Sequence, residues 1–233
     1  MTERRETERH EKDLQAISRV KTSAVQVPWS EEFERMISGM NFAPSKCAIL
    51  EEFSLAHKRR LQLFNRDDAL HESTSLAEVK EKRMAIIRGM LGGVGDRVAI
   101  ETPFMCTWGC NVFLGDNAYI NMGSALFDHA PIIIGSRTLV GPGVTICTIT
   151  HVTSPVLRRD LGGSHALSIE IGQDCWIGAG AIILPGVKIG NMVTVAAGAV
   201  VTRDVGDGLT VGGVPAKILK RVEVARGERV DQK

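Results

Sequence analysis

The sequence predicts a mainly β protein: a parallel β-helix of hexapeptide repeats entered through an N-terminal helical segment. Three observations predict it. Between Ile171 and Val201 an aliphatic residue falls on every sixth position: Ile171, Ile177, Ile183, Ile189, Val195 and Val201. Two positions before each runs a second column of Ile169, Cys175, Ala181, Val187, Val193 and Ala199. An aliphatic-Gly-polar corner recurs as Val94-Gly95-Asp96, Leu114-Gly115-Asp116, Ile134-Gly135-Ser136, Ile171-Gly172-Gln173 and Ile189-Gly190-Asn191, in steps of 20, 20, 37 and 18 residues. A period of six suits neither an amphipathic helix nor an alternating strand. It suits short strands that turn a corner every six residues, with both columns filling the core of a triangular prism. At about 4.8 Å per turn, five or six turns from Val94 to Val211 make a prism roughly 25 to 30 Å tall.

The elements follow in chain order. Residues 1–28 are polar and charged and read as a flexible tail or frayed helix that the fold can do without. Residues 29–92 read as a helical cap. Ser30 is the expected N-cap, Glu31 and Glu32 fill the first turn, and Phe33, Met36, Ile37 and Met40 share a face. A second helix is expected over about 46–65 and a third over about 76–91, stopped by Gly92-Gly93. Such helices would cover the exposed strand edge at the open end of the coil. The coil proper spans 93–222, and 223–233 form a C-terminal tail. At its corners, Gly and short polar residues are expected to supply the positive φ of tight turns. The 37-residue step leaves room for two turns and a slip, or for one turn with a long excursion. The rhythm fails over 150–168, where Pro155, Arg158, Arg159, Gly162 and Gly163 read as a protruding loop.

Composition narrows the function. Among 233 residues, 28 basic side chains against 27 acidic ones leave no basic field for nucleic acid or an anionic membrane. No apolar run reaches transmembrane length and the charged start has no secretory core, so a cytoplasmic protein is expected. The five cysteines, Cys47, Cys106, Cys110, Cys147 and Cys175, lack paired zinc spacing and read as small apolar thiols.

Specific strings then carry a resemblance: Thr150-His151 before the loop, Ile171-Gly-Gln-Asp-Cys-Trp176-Ile-Gly-Ala179, Leu184-Pro185-Gly186, Ala196-Ala197-Gly198 running to Thr202-Arg203-Asp204, and Gly212-Gly213-Val214-Pro215-Ala216-Lys217. From about residue 30 to 221 the chain resembles the maltose, galactoside and nodulation-type O-acetyltransferases of the hexapeptide-repeat superfamily. The resemblance implies a left-handed β-helix, a homotrimer with sites in the clefts between neighbours, and acetyl-CoA as donor, with no metal. It implies His151 as the general base, since an acceptor hydroxyl attacks a thioester poorly until a base takes its proton. Asn121 matches the acceptor-side asparagine, placed to bind a hydroxyl or the developing oxyanion. Asp128 matches the acceptor-holding acid with the register off by one. On the donor side Trp176 offers a flat face to donor and acceptor, Ala179 and Ala197 let a thin pantetheine arm approach the backbone, and Thr202, Arg203, Lys217 and Lys220 meet the nucleotide end.

The departures all remove polarity from the acceptor side. Phe42-Ala43 stand in place of a Tyr-Asp pair, Gly123 in place of an asparagine, Val152 in place of a proline and Leu157 in place of a glutamate. An acceptor less rich in hydroxyls than a plain sugar is expected. The alternatives are a metalloenzyme like the γ-type carbonic anhydrases using His129, His151 and His165, whose spacing lacks the expected close pair, and a non-catalytic trimeric scaffold. An acetyl-cysteine route is disfavoured: Cys175 lies in the inward column and Cys147 has no base beside it in sequence.

Overall fold

The computed structural model describes residues 11–66, 75–161 and 164–221. The tail at 223–233 and the side chain of Leu157 lie outside that description. Among the described residues the coil has three parallel faces. The first stacks Gly93–Val94, Val112–Leu114, Ile132–Ile134, Ile169–Ile171 and Lys188–Ile189. The second stacks Ala99–Ile100, Tyr119–Ile120, Leu139–Val140, Trp176–Ile177, Thr194–Val195 and Leu209–Gly212, and the third Met105–Cys106, Ala125–Phe127, Thr145–Cys147, Ile182–Ile183 and Val200–Val201. Ile169–Ile171 pair directly with Ile132–Ile134, so the 37-residue step is one turn carrying a long excursion. Both sequence columns point inward: from Ile171 to Val201 every member is at most 3% exposed. A strand at Lys217–Arg221 folds back antiparallel on Leu209–Gly212 and finishes the stack.

The corner glycines do two separate jobs, which corrects the expectation that they all serve positive φ. On the edge between the first and second faces, positive φ falls on Arg97, Asn117, Arg137, Asp174 and Met192. The glycines two positions earlier are there because the next coil leaves no space. A Cβ on Gly115 would stand 2.6 Å from the backbone nitrogen of Ser136, and one on Gly135 would stand 2.5 Å from the carbonyl carbon of Gly172. The polar residue after the glycine accepts a backbone N–H from the coil above, as when Asp116 Oδ1 receives the Asp96 N–H at 2.9 Å and Asn191 Oδ1 that of Gln173 at 3.0 Å. On the edge between the second and third faces, Gly123, Gly143, Gly180 and Gly198 do take positive φ.

The helical part is larger and better anchored than its sequence suggests. Residues 14–21 are no tail: Leu14–Lys21 form a helix, α1, whose N-cap Asp13 accepts the Gln15 and Ala16 N–H groups at 3.0 Å each. Ile17 and Val20 are buried with Phe33, Met36 and Ile37 of α2, Glu31–Ile37. The charge-rich composition hid an apolar i, i+3 pair behind an aspartate cap. Ser30 caps α2 as expected, its Oγ accepting the Phe33 N–H at 3.1 Å. The long helices α3 (Ala48–Asn65) and α4 (Leu76–Arg88) lower Phe64 and Ile87, with Met90 and Leu91 just beyond, onto the first coil's Ile100, Phe104 and Cys106. Asn65 seals the junction by exchanging two hydrogen bonds with the Phe104 backbone at 2.8 and 2.9 Å. Gly89 ends α4, while Gly92 is drawn into the coil, where a Cβ would lie 2.2 Å from the Cys110 carbonyl oxygen.

Candidate active site

The site residues read from sequence divide between two edges of the prism. On the edge between the second and third faces the corners Asn121-Met122-Gly123, Gly141-Pro142-Gly143, Gly178-Ala179-Gly180 and Ala196-Ala197-Gly198 stack in a column. The coils touch backbone to backbone there: a Cβ on Gly178 would come within 2.5 Å of the Ala197 nitrogen, and one on Gly141 within 2.9 Å of the Ala179 nitrogen. Outward the column is bare. A Cβ on Gly143, Gly180 or Gly198 would meet nothing within 4 Å. Ala179 and Ala197 are exposed on this strip, and Trp176 stands beside it on the second face with 57% of its surface open. Asn121 heads the column. Its Oδ1 accepts the Met122 N–H at 2.8 Å, which leaves the amide nitrogen as the donor end of the side chain. Lys217 and Lys220 are exposed on the closing strand below.

The edge between the third and first faces carries the other group. Here the excursion leaves the prism through Ile149–Thr150, turns through α5 (Pro155–Leu161) and returns by His165–Ala166, which pair antiparallel with Ile149–Thr150. His151 is exposed at the base of this hairpin. Its Nδ1 lies 3.4 Å from Ser164 Oγ. Ser164 in turn exchanges both backbone hydrogen bonds with Phe42, at 3.0 and 3.1 Å, so the helical cap is stitched to the loop beside His151. The Ala43 N–H is taken by the Glu32 carboxylate. Two coils beyond Ile149, past Leu184-Pro185-Gly186, the same edge bears Thr202, half-buried, and Arg203, exposed.

Asp128 is not placed as its sequence reading supposed. It has 0% exposed surface, and its Oδ1 accepts the Thr107 and Trp108 N–H groups at 2.7 and 2.9 Å while Oδ2 has no hydrogen-bond partner among the described residues. Burial pushes its pKa up to about 7 against the pull of those N–H groups. It braces the turn from within. Its neighbour His129 is only partly covered. Its ring lies 6.0 Å from that of Phe42 and 6.1 Å from that of Trp108, centroid to centroid. Its Nδ1 and Trp108 Nε1 are buried without hydrogen-bond partners among the described residues, and desolvation holds its pKa down at about 4. Cys106, Cys110 and Cys175 are buried, and burial raises each thiol's pKa, as expected of packing rather than nucleophilic cysteines. Among the described residues, no group of three His, Cys, Asp or Glu side chains is placed to hold a metal ion, and no helix is long and apolar enough to cross a membrane.

Comparison with known proteins matches both parts of the chain. Residues 168–203 fit the bacterial transferase hexapeptide model and residues 35–95 the maltose acetyltransferase hexapeptide capping motif. The galactoside O-acetyltransferase of Escherichia coli is 32% identical over 81% of this chain and 88% of its own length. The sophorolipid acetyltransferase of Starmerella bombicola is 36% identical over 97% of this chain and 88% of its own. Among solved structures, a hexapeptide-repeat acetyltransferase from Vibrio cholerae in complex with acetyl-CoA superposes with a TM-score of 0.73 at 33% identity, covering 84% of this chain and 100% of that one. These three relatives are named for acetyl transfer. Coil, cap and relatives agree: the chain belongs to the hexapeptide-repeat O-acetyltransferases of the maltose, galactoside and nodulation type.

Proposed function

We propose that this acetyltransferase moves the acetyl group of acetyl-CoA directly to an acceptor hydroxyl, with His151 as general base, in clefts between the subunits of a cytoplasmic homotrimer. The observation that carries the reading is the division of the site. The bare strip with Trp176, Ala179 and Ala197 and the histidine-bearing hairpin occupy different edges of one prism. A second copy that sets its bare strip against this chain's hairpin completes the site, and a head-to-tail contact repeated three times closes a ring. The apolar surfaces of Met122, Leu139 and Trp176, each about half exposed, lie where such a contact would cover them.

Each group then has a task. The pantetheine arm runs along the glycine strip, where no side chain intrudes, and Arg203, Lys217, Lys220 and Thr202 meet the phosphates and the nucleotide. His151 takes the acceptor proton as the oxygen attacks the thioester carbonyl. Asn121 N–H donors meet the oxyanion that forms, and the departing CoA thiolate recovers the proton from the imidazolium. The acceptor is a hydroxyl on a partly apolar molecule. Phe42 packs buried beside the His129 ring on the cap side, Ala43 contributes no carboxylate, and one relative that spans 97% of this chain is named a sophorolipid acetyltransferase.

Calorimetric titration of acetyl-CoA into wild type and His151→Ala, together with CoA release over methyl, octyl and dodecyl glucosides, tests this. Donor binding by both proteins is expected, with turnover down by about 10²- to 10⁴-fold in the variant and faster on the longer-chain glucosides. Failure of wild type to bind donor would overturn the enzyme reading, and a preference for the methyl glucoside would overturn the acceptor reading.

A further inference from the structure

Ser164 is left unexplained by the chemistry above, yet three segments converge on it. It faces His151 across the hairpin, one step beyond the Thr150–His165 pair. It exchanges backbone hydrogen bonds with Phe42 of the cap at 3.0 and 3.1 Å. Its Oγ lies 3.4 Å from His151 Nδ1. Phe42 is itself fixed, with 2% of its surface exposed in the cluster of Ile17, Val20, Phe33 and Leu50. The Glu32 carboxylate takes the next N–H along the chain, that of Ala43.

We propose that Ser164 is a positioning residue for His151, through which the helical cap sets the tautomer and orientation of the base. The inference rests on the reading of His151 as base. A neutral imidazole carries one proton, and the hydrogen bond made by one ring nitrogen decides which nitrogen holds it. With Ser164 Oγ accepting from Nδ1–H, the lone pair lies on Nε2, the nitrogen that then takes the acceptor proton. The backbone bridge to Phe42 gives Ser164 a fixed origin that the hairpin alone lacks, and Ser164 needs no contact with either substrate.

The test uses ¹⁵N-imidazole NMR on the full-length protein, with the His151 signals assigned by their loss in His151→Ala. Wild type should show His151 protonated on Nδ1. Ser164→Ala should show a tautomer mixture, a kcat lower by about tenfold and unchanged KM values for acetyl-CoA and octyl glucoside. Ser164→Thr, which keeps the hydroxyl, should restore both signals and rate. If the tautomer shifts while kcat does not, the contact is upheld and the reading of His151 as base fails. A Ser164→Ala protein with wild-type tautomer and wild-type kcat would overturn the positioning role, as would a wild-type His151 protonated on Nε2.

Discussion

The two edges proposed to carry the site are built on opposite plans. Between the second and third faces the wall is thin, made of glycine and alanine corners whose backbones touch and whose outer surface is bare. Between the third and first faces the wall is thick: a hairpin, a helix and the α1–α2 part of the cap are laid on the coil, with Phe42, Trp108 and His129 packed ring against ring. The first plan suits a ligand held along its length by backbone. The second suits one chosen by side chains. A family that keeps its donor and varies its acceptor would be expected to hold the first edge constant and rebuild the second; the departures at Phe42, Ala43 and Val152 fall on the second, while Gly123 falls on the first.

Substitutions can break this contrast, beginning with the most severe. Phe42→Ala removes a ring buried between cap and coil and should cost about 3 to 5 kcal/mol in urea unfolding, comparable to the roughly 2 to 5 expected for Ile183→Ala in the prism core. If the cap edge were an appendage, unfolding of the coil would not notice Phe42. Next come the glycines of the thin edge. Gly178→Ala drives a methyl into the Ala197 and Val195 backbones and should cost about 1 to 3 kcal/mol. Gly198→Ala has open space but positive φ, so about 1 to 2 kcal/mol is expected, with a larger loss of CoA affinity because its methyl stands on the strip itself. Calorimetry and unfolding on the pair separate the two effects, and equal CoA affinities would remove the strip from the donor site.

The thick edge also holds a titration that the thin one lacks. Asp128 has its folded pKa raised to about 7, so its contribution to stability is present below its ordinary value and is lost as pH rises toward 7. His129 has its folded pKa lowered to about 4, so its contribution is present above its ordinary value and is lost as pH falls toward 4. Between about pH 4.5 and 6.5 the two slopes oppose one another, and the wild-type pair should contribute little net pH dependence. Asp128→Asn should expose the histidine slope, with stability rising with pH by about 1.4 kcal/mol per unit, and His129→Phe should expose the opposite slope. Parallel unfolding curves for the two variants would contradict these environments. The smallest effect is expected on the remaining edge, where the exposed Arg137–Asp174 pair bridges two coils at 2.6 Å. Arg137→Ala should leave the thermal midpoint within error, because solvent screens such pairs.

The same contrast explains what was legible in the sequence. The coil was readable because each inward residue repeats a local rule, and the glycine corners because backbone contact admits no side chain. His151 was readable as the point where that rule breaks. The cap edge follows no period. Its stitch from Phe42 to Ser164 joins residues over a hundred positions apart, and nothing local in a Phe-Ala dipeptide announces it. The helix at Leu14–Lys21 was hidden for a different reason: three buried residues, Ala16, Ile17 and Val20, suffice to dock it, too few to raise an apolar signal in a charged stretch.

Mixing two inactive variants tests the divided site most directly. His151→Ala spoils the hairpin edge and Ala197→Trp blocks the bare strip. If each site takes one edge from each of two subunits, unfolding and refolding the two together at equal amounts should restore activity to about a quarter of wild type, since that fraction of random neighbours unites two intact edges. A mixture no more active than its parents would contradict the division and place the whole site within one chain.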